Sequence, residues 1–124
     1  PFEIGDEFGG FGLPSQRSPD LASPRTKFDA APGANTTIGI VATDAILDKG
    51  AAKRLAIAGH AGLAKAIFPS HTDFDGDLVF AAATGRSRVA FDPRDRASVL
   101  LGAAAASTMA RAVARGVFAA RRNG

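Results

Sequence analysis

Apolar positions follow two rhythms along this chain. Residues 38–42 (Ile38-Gly39-Ile40-Val41-Ala42) form a short continuous apolar run bounded by Asn35-Thr36-Thr37 and Thr43-Asp44. A run of that length, rich in β-branched residues and closed by turn-formers, predicts a strand over about 37–43, buried on both faces. After a turn at 44–50 the spacing changes. Leu55, Gly59, Gly62, Leu63, Ala66 and Ile67 make one stripe at intervals of three and four, which predicts a helix over about 51–68, stopped by Pro69. Gly59 and Gly62 lower helix stability, so their presence predicts close approach of a neighbouring sheet or helix. The polar loop 70–77 leads into a second continuous apolar run at 78–84, a second buried strand. Residues 86–96 read as a turn, a short strand (Val89-Ala90-Phe91) and a Pro-containing loop. The last helix spans about 96–120. It is almost continuously apolar from Val99 to Ala106, as in a helix buried on most sides or packed at a subunit interface. Strand, helix, strand, helix is part of an α/β layered fold.

Residues 1–35 have neither rhythm. They hold Pro1, Pro14, Pro19, Pro24 and Pro32 with Gly9, Gly10, Gly12 and Gly33, and no regular element survives that density of breakers. Phe2, Ile4, Phe8, Phe11, Leu13 and Phe28 make the stretch too apolar for a simple linker. It reads as an extended arm wrapping a surface, ending in a small, flexible loop at 29–34.

Composition narrows the chemistry. With 124 residues the chain holds one domain at most, and 46% hydrophobic residues suit a globular core, although much of that share is alanine. There is no cysteine, hence no disulfide, thiolate nucleophile or Cys-based zinc site. The net charge is +3. The nearest approach to a nucleic-acid surface is Arg111, Arg115, Arg121 and Arg122 on the last helix, which read more simply as a solvated face with a favourable positive C-terminus. Run by run, no apolar segment approaches a membrane span, and the first residues resemble no signal peptide. The lack of an initiator Met suggests a fragment or processed piece. A cytoplasmic protein with no membrane or nucleic-acid partner is the expectation.

Two groups of residues carry candidate chemistry. Thr36 stands at the entrance of the first strand behind a flexible loop. A threonine hydroxyl is a poor nucleophile without a base beside it, and a free α-amine on the same residue can serve, with an ordinary pKa of roughly 7.7–8.0. Exposing that amine requires cleavage of the Asn35–Thr36 bond, by attack of the Thr36 hydroxyl on the Asn35 carbonyl and hydrolysis of the resulting ester. Asn-Thr-Thr alone reads more simply as a turn into a strand. The second group is Asp73-x-Asp75-x-Asp77, three carboxylates that would face one way on an extended segment. Calcium-loop spacing fails, because Gly76 precedes the third carboxylate and Thr84 stands where a twelfth-position Glu belongs. Capping of loop amides and orientation of a nucleophile remain equally open. His60, within the first helix, and His71, in the acidic loop, have no Ser or Cys partner in a recognisable arrangement. His60 reads as a packing or surface residue and His71 as a candidate pocket residue. Nothing calls for a metal or cofactor.

Three blocks in order carry a resemblance: residues 35–45, residues 52–67, and His71-Thr72 through Asp75-Gly76-Asp77 to Gly85. Together they resemble the self-cleaving N-terminal-nucleophile hydrolases that include the β-aminopeptidases and D-aminopeptidases, and within that family most of all the endo-type nylon-oligomer (6-aminohexanoate oligomer) hydrolases. The resemblance implies an α/β/β/α sandwich, to which this chain gives a strand-helix-strand-helix part. It implies self-cleavage between Asn35 and Thr36, dividing the chain into 1–35, the tail of an upstream large chain with its cleavage loop, and 36–124, a small chain led by the nucleophile. Thr36 rather than Thr37 is implied, because the family's nucleophile stands eight residues before the position of Asp44. Asp75 and Asp77 fall on the two acidic residues that assist it, and Asp73 on none. The family's lysine and asparagine come from the large chain, and none of Lys27, Lys49, Lys53 or Lys65 sits in a matching motif. This chain alone is therefore expected to be inactive and incomplete as a fold. The implied assembly is a homotetramer of processed heterodimers, and the implied substrates are linear amide oligomers of 6-aminohexanoate. Release of β- or D-amino acids from peptide amino ends is the alternative, and an uncut, non-catalytic assembly module is a third reading.

Overall fold

The computed structural model describes residues 36–73, 75–92 and 94–122. Asn35 and the arm before it lie outside the described residues. Four elements follow in order: β1 (Ile38–Thr43), α1 (Lys49–Ala66), β2 (Leu78–Ala83) and α2 (Arg96–Arg122). The strands pair in parallel, Ile38 with Leu78 through Thr43 with Ala83, and α1 is the crossover that parallel neighbours require.

Local chemistry sets the bounds of α1. Asp48 is its N-cap, its carboxylate accepting the Ala51 amide at 2.6 Å. Alanines supply the propensity, and the helix closes with the Ile67 amide on the Leu63 carbonyl at 2.9 Å, two residues before Pro69. Leu55, Gly59, Gly62 and Leu63 are its buried residues, four members of the stripe read from the sequence.

Both helices lie on one face of the sheet. Val41, Leu55, Leu63, Val79, Ala105 and Met109 form the buried cluster. The two helix glycines do what their positions suggested. A Cβ at Gly59 would come within 2.8 Å of Val79 Cγ1 and 3.0 Å of Val41 Cγ2, so the helix sits against both strands. A Cβ at Gly62 would run into the Ala106 carbonyl oxygen and stand 2.8 Å from Met109 Cβ. That absence of side chain lets α1 and α2 touch backbone to backbone.

Four expectations need correction. The strands are covered on one face rather than two: Ile38, Ile40 and Phe80 are 68%, 66% and 52% exposed. A continuous apolar run signals that both faces are apolar, but the second face has no covering layer among the described residues. The short strand at 89–91 reduces to one bridge between Ile46 and Ala90, with the Ile46 amide on the Val89 carbonyl at 2.7 Å. Third, of the two readings of α2 it is burial on most sides that fails, since the helix is buried along Ala105, Met109 and Ala110 while Val99 and Leu100 on its first turns are exposed; packing at a subunit interface is not tested by a single chain. Two elements cannot surround a helix of 27 residues. The segment Arg96–Ala120 is also long and apolar enough, by length and composition, to cross a membrane. It holds no long run of large apolar side chains, and its hydropathy is summed over many alanines. An alanine-rich helix packed on a neighbour meets the same criterion, so composition does not distinguish the two.

These contacts predict opposite outcomes for two glycines. Gly62→Ala should destabilise the full-length protein by about 1–3 kcal/mol through overpacking against α2. Gly116→Ala, with nothing within 4 Å of the added carbon, should be neutral or gain up to roughly 1 kcal/mol from helix propensity. Denaturant titration of both variants checks this, and equal effects would contradict the close crossing.

Candidate active site

The strand register continues past the end of the sheet and assembles the site. The Leu78 amide donates to the Thr37 carbonyl at 2.9 Å. One residue before β2, the Asp77 carboxylate accepts the Thr37 amide at 2.9 Å. One residue earlier again, Gly76 lies against the Thr36 side chain, so close that a Cβ there would stand 2.8 Å from Thr36 Oγ1. Thr36 itself is exposed, at the N-terminal entrance of β1. Pairing of residue i with i+40 thus brings Thr36 and Thr37 to Gly76 and Asp77. Asn35 lies outside the described residues.

The acidic loop is a turn and not an extended segment. The Asp75 carboxylate accepts both the Thr72 amide (2.7 Å) and the Thr72 hydroxyl (2.9 Å), and the Asp75 amide returns to the Thr72 carbonyl at 3.0 Å. Asp73 is exposed within this turn. The premise that alternate carboxylates share a side therefore does not hold here. Asp75 turns back on its own loop while Asp77 reaches across to β1. Among the described residues no group of three or more His, Asp or Glu could hold a metal ion.

The histidines meet. His60 Nδ1 lies 3.4 Å from His71 Nε2, with ring centroids 4.9 Å apart and planes at 56°. His71 holds a left-handed backbone, φ 56°, uncommon for a residue with a side chain. The contact fastens the start of the acidic loop to α1. Sequence reasoning kept the two apart, because a helix residue and a loop residue eleven positions on share no periodicity. It also gave Gly76 no role of its own beside Thr36. A bond between two imidazoles needs one acceptor nitrogen, so protonating both rings removes it.

A separate open depression lined by Thr43, Asp44, Thr84 and Arg86 lies at the opposite, C-terminal ends of the strands. Open parallel sheets commonly bind ligands at that end, whereas the threonine and acidic loop occupy the other.

A βαβα unit with a strand-entrance threonine facing an acidic turn is the arrangement on which the comparisons bear. Residues 8–123 match peptidase family S58, and the chain belongs to that family. It is 46% identical over 109 residues to an uncharacterized aminopeptidase of Mycobacterium bovis, and equally to one of Mycobacterium tuberculosis; the match covers 82% of this chain and 31% of each relative. An uncharacterized aminopeptidase of Mycobacterium leprae is 48% identical over 94 residues, 69% of this chain and 26% of that protein. The chain spans about a third of the length of the curated relatives it matches. The resemblance drawn from the sequence holds at the level of the family; none of these names mentions nylon oligomers.

If the His60–His71 contact holds the loop, His60→Ala should speed amide exchange across residues 71–77 by roughly two- to tenfold, the value of one net hydrogen bond, and leave α1 protected. Hydrogen-exchange mass spectrometry reads this, and unchanged loop exchange would contradict it.

Proposed function

We propose that the full-length protein is an amide hydrolase that cuts itself between Asn35 and Thr36 and uses Thr36 as an N-terminal nucleophile. The observation carrying this reading is the placement of Thr36 at a strand entrance against the Asp75-Gly76-Asp77 turn, in a chain of a peptidase family. In the reaction, Thr36 Oγ bonds to the substrate carbonyl carbon as its proton passes to the Thr36 α-amine. Collapse of the tetrahedral intermediate breaks the amide C–N bond, and the proton goes to the leaving amine. Water then opens the acyl ester, returning the hydroxyl to Thr36. Asp77 fixes the Thr37 main chain and, with Asp75, supplies negative charge that favours the protonated amine formed during attack. A catalytic lysine and an oxyanion-stabilising asparagine come from the upstream chain, and processed heterodimers assemble as a tetramer.

Two substrate classes follow. The relatives carry the name aminopeptidase, which favours release of a residue from a free peptide amino end, including β- or D-residues. The sequence resemblance favours linear 6-aminohexanoate amides cut internally. Comparing amides with free and blocked amino ends separates them: an aminopeptidase loses blocked substrates, an internal amidase keeps them.

Thr36→Ala should abolish self-cleavage and lower amide turnover by roughly 1,000-fold or more. Intact mass, amino-terminal sequencing and turnover assays measure both. A small chain beginning Thr-Thr-Ile-Gly is expected from the parent protein, and a wild-type rate in the variant would sink the mechanism. An uncut parent would favour the assembly module. Asp77→Asn keeps an acceptor for the Thr37 amide but removes the charge. It should retain stability within about 0.5 kcal/mol and lose at least about tenfold in turnover; normal turnover would reduce Asp77 to a capping residue.

A further inference from the structure

The glycine of the acidic turn stands where only a residue without a side chain leaves the threonine in place. Glycine is usually required by its backbone, as at Gly85, where φ is 67°. Gly76 is different. Its φ lies outside the left-handed region, so a side chain would be tolerated by the main chain. Among the described residues the nearest obstruction is Thr36. A Cβ on Gly76 would stand 2.8 Å from Thr36 Oγ1, 3.4 Å from Cγ2 and 3.7 Å from Cβ, with no other neighbour nearer than these three. The first distance is shorter than real Cβ contacts show.

Both heavy branches of Thr36 face this spot. A threonine fills two of the three staggered positions about χ1, so no rotamer carries both branches away from residue 76. Across the site, the strand register and the Asp77 bond to the Thr37 amide hold the main chain of residue 37. The chain is thus anchored one residue beyond Thr36.

We propose that Gly76 is the positioning residue for the Thr36 hydroxyl: its bare backbone forms the wall that sets the χ1 of the nucleophile, for self-cleavage and for turnover alike. This rests on the reading of Thr36 as the nucleophile. A side chain at 76 would rotate or displace Oγ1 by several tenths of an ångström, which matters to a reaction that requires near-attack geometry.

The test pairs the rate of self-cleavage in the full-length protein, which needs no knowledge of the substrate, with a stability control. Gly76→Ala should slow cleavage at least about tenfold in the parent. In the uncut Thr36→Ala background, which has no γ atoms for the added methyl to meet, Gly76→Ala should leave the denaturation midpoint unchanged. A lowered midpoint or failure to fold in that background would assign Gly76 to the turn itself and overturn the proposal. So would parent-rate cleavage by Gly76→Ala. Cleavage at the same bond by Thr36→Ala would instead remove the nucleophile reading, leaving the two failures distinguishable.

Discussion

Parallel pairing of β1 with β2 in one register, residue i against i+40, is the constraint on which the remaining geometry depends. It is fixed from the packed side. Val41 and Val79 both meet the surface of α1 at Gly59, and because side chains alternate, a slip of one residue would carry one of them to the opposite face. The helix is tied in turn to α2 by the contact at Gly62. A packing decision made in the core thereby determines which residues stand side by side at the far end of the strands. The same offset that matches Val41 to the partner strand delivers Gly76 and Asp77 to Thr36 and Thr37.

Much of this was legible from residue order. Both strands and both helices were found within two or three residues, because short β-branched runs and a three-four stripe have few other interpretations. The helix glycines were read as points of close approach, and Val41, Val79 and Ala106 are what approaches. The rest was hidden for physical reasons. A run such as Ile38 to Ala42 reports that both faces of a strand are apolar, without saying whether one chain covers both. The carboxylates were placed by assuming an extended segment, whereas Thr72 and Asp75 bond into a turn. The meeting of His60 with His71 depends on how the chain reverses after α1, which no local pattern encodes.

The uncovered face of the sheet, carrying Ile38, Ile40, Leu78 and Phe80, belongs with the short share of the relatives' length that this chain spans. Among the described residues each strand is also an edge, since the sheet there has two. Apolar surface and open hydrogen-bonding edges are features that folded proteins ordinarily pair or cover.

The bond from Asp77 to the Thr37 amide has a further consequence on the proposed reading. Fresh chain ends created by a peptide cut usually fray, because nothing beyond the last hydrogen bond restrains them. If the chain is cut before Thr36 as proposed, this restraint lies one residue inside the scissile bond and on the small-chain side of it, so the new terminus would inherit an anchor already present in the uncut chain.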